Sequence, residues 1–524
     1  MVSDIVKKKH AWLPWAALAC LVVPMFASYY FDDMFSSISY LFENPSLTAL
    51  GWDSAGYGLY ASGYSVLCVF GGLVIGGILL DKWGVRVSGS LFVGMMVLGA
   101  GLVTFALLYG GSSALTVAYV GVMLFGLGSE IAGTAVTRSI AKWFRGGPMA
   151  LAMGLQLAIA RLGTAFALVL SPRLVQQIDG HVYSLGETAR PALVGMALMA
   201  LGLILWGIFV AIDARHSASS RQTDPSSSTT DPTSSTTDPT SRQTGCSSSH
   251  SGLDPESPSS SEDTFRFKDV LGVLGNRNFW LLGLLCVLFY SSIIAFKKFA
   301  GAILIPRFDI PAQTAGWMVS MLPFSTVIFA PLFGMLVDKA GRGTRWMVLG
   351  AVLALIAHLL LAFAPQGVPF WGYLAMVFLG FGYSLVPAAL WPSVPKIVPD
   401  KVLGTTFALI YWVQNLGLMS FKWIAGVILG RSGASAAASA AASAGVSVTA
   451  AASSAASAGV SVTAGASSAA AAGATAPAAS SWLTGPVSVE LMFVALCVAA
   501  LFTALVFARI SSRNPHLRLD SPNS

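Results

Sequence analysis

Two stretches of this chain carry the same loop: Gly76–Arg86 reads GGILLDKWGVR, and Phe333–Arg345 reads FGMLVDKAGRGTR. In each, a long apolar run ends in glycine, then Asp-Lys, then glycine and arginine, and Asp81 and Asp338 stand 257 positions apart. A short basic turn of this kind joins a second hydrophobic span to a third. Its recurrence divides the chain into two copies of one six-helix unit, the internal-repeat plan of many membrane carriers.

The composition agrees with a chain dissolved in lipid. Only 10% of residues are charged, against roughly 25% in soluble domains. Apolar runs of bilayer-crossing length, about 20 residues each, fall at 12–36, 55–80, 87–109, 114–140, 147–172, 191–213, 278–305, 312–337, 345–364, 367–394, 402–430 and 486–510. The expected fold is therefore an all-α membrane protein of twelve transmembrane helices, two six-helix bundles related by a pseudo-two-fold axis. The net charge of +7 would suit nucleic acid, but its placement says otherwise. With both termini cytoplasmic, the segments on that side hold 21 of the 30 Lys and Arg residues, and the opposite side holds only Arg173, Arg190, Arg307 and Arg431. Cytoplasmic loops carry such an excess in membrane proteins. The basic start followed by an apolar run could be a signal peptide, but the run from Trp12 is too long for one and continues into Tyr29-Tyr30-Phe31-Asp32-Asp33. It is the first span.

The expected domains are an N-terminal bundle (1–214), a cytoplasmic linker (215–266), a C-terminal bundle (267–510) and a cytoplasmic tail (511–524). The linker is rich in Ser, Thr, Pro and Asp, with near-repeats starting at Thr223, Thr230 and Thr237. Such a composition cannot bury apolar area and reads as a disordered tether. A second low-complexity stretch, 432–481, is rich in Ala, Ser, Gly and Thr and repeats SAGVSVTA at Ser443 and Ser457. It lacks Leu, Ile and Phe to drive insertion and reads as a disordered insertion on the non-cytoplasmic face. Asn44-Pro45-Ser46 is spoiled as a glycosylation acceptor by its proline. Cys20, Cys68, Cys286 and Cys497 fall within spans and Cys246 in the linker, with no disulfide framework or zinc spacing.

Inside a membrane an ionisable side chain is costly unless it is paired or faces water, so each one is informative. Asp32 and Asp33 end span one, Lys297 and Lys298 lie in span seven, and Lys422 lies late in span eleven. Glu130 and Arg161 stand about sixteen and fourteen residues into spans four and five, which at 1.5 Å per residue places both in the middle third of the bilayer. An acid and a guanidinium at that depth suit a zwitterion, the guanidinium taking its carboxylate bidentately and Glu130 its ammonium. A structural salt bridge between the two is the competing expectation. Lys297 and Lys298 project about 100° apart on a helix, so only one faces the cavity easily; either could offset Asp33 or attract a carboxylate. Tyr383 and Trp391 lie on span ten among Pro387, Pro392 and Pro395, where a helix must bend, and serve as packing or ligand contacts. The repeated loops supply Gly77, Asp81, Lys82, Gly84 and Arg86 in the first half and Asp338, Lys339, Gly341 and Arg342 in the second. Their glycines let helices approach and their aspartates cap a helix or pair with arginine, a conformational-switch motif. No Walker loop, GxSxG or HExxH is present, and the six histidines are scattered. An enzyme, a metal site and a cofactor are not expected.

With these segments in hand, the chain resembles the major facilitator superfamily, and within it a branch of lysosomal dipeptide uniporters. The resemblance rests on SYYFDD in span one, LCVFGG and GGILLDK in span two, FGLGSE in span four and MALAMGLQLAIARLG in span five. In the second half it rests on FGMLVDKAG, GYSLVPAALWPSVPKIVP and LGTTFALIYWVQNLGL. It implies alternating access around a central cavity, with Glu130 and Arg161 matching positions that bind dipeptide termini. The family's Tyr-Asp-Asn-Pro run is replaced here by Asp32-Asp33-Met34-Phe35, which leaves Asp33 as the matching acid; its span-seven lysine does not align cleanly with Lys297 or Lys298. No acidic dileucine precedes Lys7. The resemblance further implies a glycosylated single-pass accessory subunit and a lysosomal or other endomembrane home, the plasma membrane being the alternative. The expected function is facilitative transport of a small zwitterion, a dipeptide first of all. A mono- or dicarboxylate carrier and a non-transporting nutrient sensor are the alternatives.

Overall fold

Within a bilayer each backbone polar group must be satisfied by its own segment, so apolar runs of this length fold as helices. The computed structural model describes residues 12–145, 148–178, 181–222, 272–398, 403–443 and 485–513, and every long element is helical. In chain order these are α1 (Leu13–Asp33), α2 (Ser54–Leu67), α3 (Leu73–Tyr109), α4 (Ala114–Trp143), α5 (Met149–Leu174), α6 (Leu185–Gln222), α7 (Arg277–Lys298), α8 (Ala312–Ala340), α9 (Gly343–Phe363), α10 (Pro369–Leu390), α11 (Leu403–Ser443) and α12 (Gly485–Arg513).

Helices α2 and α3 do not coincide with spans two and three. A π-turn at Cys68–Gly72 links α2 to α3, and α3 itself folds back at Gly84, whose φ of 75° and ψ of 171° leave the helical region. A residue with a Cβ is strained at such a φ, so glycine ends span two and starts span three there. The reversal is marked by Ser88, whose hydroxyl donates to the Leu79 carbonyl at 2.6 Å. Ten described stretches are long and apolar enough to cross a membrane, and the 56-residue stretch Ser54–Tyr109 holds two crossings. Helix α11, 41 residues long, packs on α2 and α7 and fills the remaining place in the second bundle.

The two halves repeat one packing scheme. In the first, α1 packs on α5 and α6, α4 on α2 and α3, and α3 on α6. In the second, α7 packs on α11 and α12, α10 on α8 and α9, and α9 on α12. Shifting the first set by six helices gives the second, which is the repeat that the paired loops announce. Inside the second bundle α9 and α12 are also joined by His358 Nδ1 and Glu490 Oε2 at 2.8 Å, both side chains buried.

The bundles meet through α2 against α11 and α5 against α8, and this pairing too is symmetric. Contact is closest at the end of the molecule away from the basic loops, here the far end. Gly58 of α2 faces Gly426 of α11, and a Cβ on Gly58 would stand 2.8 Å from the Gly426 Cα. Nearby, the 3-10 segment Ser36–Glu43 and the short helix Ala300–Phe308 interlock, with the Ala302 amide donating to Ser39 Oγ at 3.0 Å. The Ala312 amide donates to Gln177 Oε1 at 3.0 Å, bridging α8 to the end of α5. Toward the basic end Val74 and Ile78 of α3 and Ile328 and Leu332 of α8 are exposed.

Two boundaries differ from expectation. Helix α6 runs to Gln222, so the first eight residues of the 215–266 linker are helical, and the rest of it lies outside the described residues. Helix α11 runs to Ser443 and takes in the start of the 432–481 stretch. Alanine, the strongest helix former, lets the backbone continue past the apolar span. Residues 444–481 and the 514–524 part of the tail lie outside the described residues.

Because no Cβ fits between α2 and α11, Gly426→Val forces the far end apart. The expected cost is about 1–3 kcal/mol, read as a lower melting midpoint in detergent. An impermeant thiol reagent should also label Ala302→Cys faster in the Gly426→Val background, since Ala302 is buried in the interlock.

Candidate functional site

Most of the ionisable side chains placed in the membrane by the sequence gather at the interface of the bundles, in two layers. The first layer is central. Glu130 of α4 is partly buried and accepts a 3.1 Å hydrogen bond from the Tyr64 hydroxyl of α2. The neighbouring Ser129 Oγ shares a 2.5 Å hydrogen bond with Ser28 Oγ of α1. Arg161 of α5 donates to the Tyr383 hydroxyl of α10 at 2.9 Å. Its guanidinium also lies 5.5 Å from the Tyr29 ring and 5.3 Å from the Tyr383 ring. Aromatic faces attract a cation electrostatically, so the guanidinium is held by rings and a hydroxyl, and among the described residues no carboxylate pairs with it. Glu130 and Arg161 form no ion pair with each other, as the competing expectation of a structural salt bridge would require; each is held by a tyrosine instead.

Further aromatic side chains extend this layer. Tyr290 of α7 meets Tyr383 edge-on at 6.2 Å and accepts a 3.1 Å hydrogen bond from Trp391 Nε1. Trp391 leaves the α10 helix for the 3-10 turn Trp391–Lys396 and stacks on Tyr411 of α11 at 5.0 Å. Trp412 Nε1 donates to the Val69 carbonyl at 2.7 Å, a carbonyl in the π-turn between α2 and α3. Such turns occur often at functional positions.

The second layer closes the far end. Lys297 Nζ donates to Asp33 Oδ2 at 2.7 Å, and Lys298 Nζ reaches Asp33 Oδ1 at 3.1 Å and Asp32 Oδ1 at 2.8 Å. Lys298 also donates to the Asp32 carbonyl. Thr164 Oγ1 donates to Asp33 Oδ2 at 2.7 Å, and the Tyr57 hydroxyl donates to the Lys298 carbonyl at 3.1 Å. Asp33, Lys297 and Lys298 are all buried. The expectation that one lysine turns away is corrected: both converge on one carboxylate, because their flexible four-carbon stems offset the 100° between them. In this state Asp33, Lys297 and Lys298 are committed to one another across the bundles.

At the basic end the loops organise the first bundle. Asp81 pairs with Arg138 of α4 at 2.6 Å. Arg86 Nε donates to Asp213 Oδ2 at 2.6 Å, and its Nη2 donates to the Asp213 carbonyl at 2.6 Å. Lys142 and Trp143 converge on the same carboxylate at 2.8 and 2.9 Å. Asp213 is buried and was not among the expected residues, although an acid following an apolar span and flanked by basic residues is a signal for it. Gly77 faces open space, and its neighbour Gly76 is the one packed on Ile131; the side chain facing α4 is decided by helical phase. Gly341 and Arg342 both take positive φ, 59° each, and end α8 in the second loop. Lys82 and Lys339 are exposed, and the Asp338 side chain lies outside the described residues.

Comparison with known proteins agrees with this architecture. The family model described as Major Facilitator Superfamily matches residues 21–422. Over 379 residues the chain is 30% identical to the lysosomal dipeptide transporter MFSD1 of Mus musculus, spanning 72% of each chain. It is 29% identical to the same transporter of Bos taurus, over 72% of this chain and 71% of that one. Among solved structures, a bacterial homolog of the human lysosomal transporter Spinster superposes with a TM-score of 0.62 at 12% identity, covering 96% of this chain and 98% of that one. At that identity the likeness concerns the fold alone.

Removing one partner of a buried ion pair leaves its mate uncompensated, at a cost of about 3–5 kcal/mol. Asp33→Asn is therefore expected to lower the melting midpoint sharply. Asp33→Asn combined with Lys297→Met restores the balance of charge and should recover most of the loss. A double-mutant cycle in detergent measures both.

Proposed function

The chain belongs to the major facilitator superfamily, and we propose that it carries dipeptides or closely related zwitterions by alternating access. It is a multi-pass membrane transporter with a small-molecule cargo. The observation that carries the cargo assignment is the central layer, where an acid and a guanidinium share one depth and neither neutralises the other. Adjacent residues of α1 reach toward both: Tyr29 lies under the Arg161 guanidinium, and Ser28 bonds Ser129, the neighbour of Glu130. A peptide carboxylate matches the Arg161 fork, where two parallel N–H···O bonds form. A peptide ammonium matches Glu130, with the Tyr64 hydroxyl orienting the carboxylate. Tyr29, Tyr290, Tyr383 and Trp391 supply apolar wall and hydroxyls, as cargo pockets require.

The remaining parts take roles around that site. The Asp32, Asp33, Lys297 and Lys298 cluster acts as the gate at the far end, and the close approach of Gly58 to Gly426 seals it. The basic end of the molecule lies opposite this seal. The excess of Lys and Arg there makes that end cytoplasmic, so the gate faces the other compartment. By analogy with relatives named as lysosomal, that compartment is the lysosomal lumen. The linker and the paired loops serve as tether and conformational hinge. The carrier is facilitative in this reading, its cargo moving down its own gradient without ATP.

In proteoliposomes, Arg161→Ala and Glu130→Ala should each reduce dipeptide uptake at least tenfold, the loss expected when a hydrogen bond to a charged group worth about 1.5–3 kcal/mol is removed. Size-exclusion profiles should stay those of the parent protein. Uptake at parental rates by both variants contradicts the assignment.

A further inference from the structure

Lys422 of α11 is 2% exposed, and among the described residues no carboxylate pairs with it. Its ammonium lies 5.4 Å from the Tyr64 ring centre. The hydroxyl of that same tyrosine donates to Glu130 at 3.1 Å. Lys422 therefore sits beside the acid of the central layer, with the tyrosine between them, while Arg161 is gathered with Tyr29 and Tyr383. An ammonium almost wholly out of water that, among the described residues, meets a ring face and no paired carboxylate is costly. It is retained where a ligand completes it or where a function uses it.

The charges at the interface show what is missing. At the gate, Asp32 and Asp33 are matched by Lys297 and Lys298. In the central layer Glu130 stands against both Arg161 and Lys422. Among these described side chains one cation is left over. A zwitterionic dipeptide brings equal charges of both signs and leaves that excess in place. A dipeptide with one acidic side chain brings a second carboxylate and removes it.

We propose that Lys422 binds an acidic side chain of the cargo, so that the site selects dipeptides with Asp or Glu over neutral ones. This rests on the dipeptide assignment made above. It also places the acidic residue: Lys422 is on the Glu130 side, where the peptide amine binds, so the selected side chain belongs to the first residue. A charge-assisted hydrogen bond replaces an uncompensated ammonium, and the expected preference is roughly tenfold or more.

The test is a thermal-stability titration of the purified full-length chain with Glu-Ala, Gln-Ala and Ala-Glu. Glu-Ala and Gln-Ala share shape and differ in charge; Ala-Glu moves the acid to the second residue. Tighter binding of Glu-Ala than of the other two is expected. In Lys422→Gln the ratio of Gln-Ala to Glu-Ala dissociation constants should fall to near one, and in Lys422→Arg it should persist. Equal binding of Glu-Ala and Gln-Ala by the parent protein overturns the inference, whatever the variants do. A preference that survives Lys422→Gln, or one that favours Ala-Glu, overturns it as well. Should none of the three dipeptides bind, the dipeptide assignment itself fails and this inference falls with it.

Discussion

Burying charge in a membrane demands a partner for every charge, and the cluster of Asp32, Asp33, Lys297 and Lys298 is where this molecule meets that demand most fully. Two carboxylates from the first bundle meet two ammonium groups from the second, Thr164 adds a hydrogen bond to Asp33, and Tyr57 bonds the Lys298 main-chain carbonyl. Both sides would be costly alone, so the bundles hold each other closed at the far end. A contact made of paired charges can also be exchanged for water when the bundles rock apart, which a purely apolar seal does not offer. It is at once a structural joint and a releasable one.

The proposed gate and the proposed cargo site share a helix. Within Ser28–Asp33, less than two turns of α1, Ser28 bonds Ser129 beside Glu130, Tyr29 lies under Arg161, and Asp32 and Asp33 make the gate. A ligand that draws on Glu130 and Arg161 therefore acts on residues one turn from the ion pairs. At the other end, Asp213 fastens the first loop to α4 and α6, so the first bundle can move as one piece. Coupling of site and gate requires such a rigid element with two positions, and α1 with its bundle has the connections for it.

Much of this was legible in the sequence for a physical reason. Lipid forces backbone satisfaction into helices, so apolar length alone marks the crossings, and the paired loops mark the repeat. The price of a buried charge singles out Glu130, Arg161, Asp33 and both lysines without any knowledge of the fold. What the sequence does not carry is partner choice. Nothing in the chain says that Glu130 turns to Tyr64 rather than Arg161, that two lysines meet on one aspartate, or that no described carboxylate pairs with Lys422, because these depend on which helices become neighbours across the interface. Asp213 escaped notice because a single acid at a span end is ordinarily solvated. The length of α11 was misjudged because hydropathy reports insertion, whereas alanine extends a helix regardless of whether the membrane does.

The central claim is that one space holds both ends of a peptide, an ammonium at Glu130 and a carboxylate at Arg161. The most direct measurement is the affinity of the purified protein for one dipeptide in three forms: free, acetylated at the amine and amidated at the carboxylate, read from ligand-dependent stabilisation. The account predicts that the free form binds and that each block alone abolishes or strongly weakens binding. If the acetylated form binds as tightly as the free one, Glu130 does not read an ammonium and the site is one for simple carboxylates.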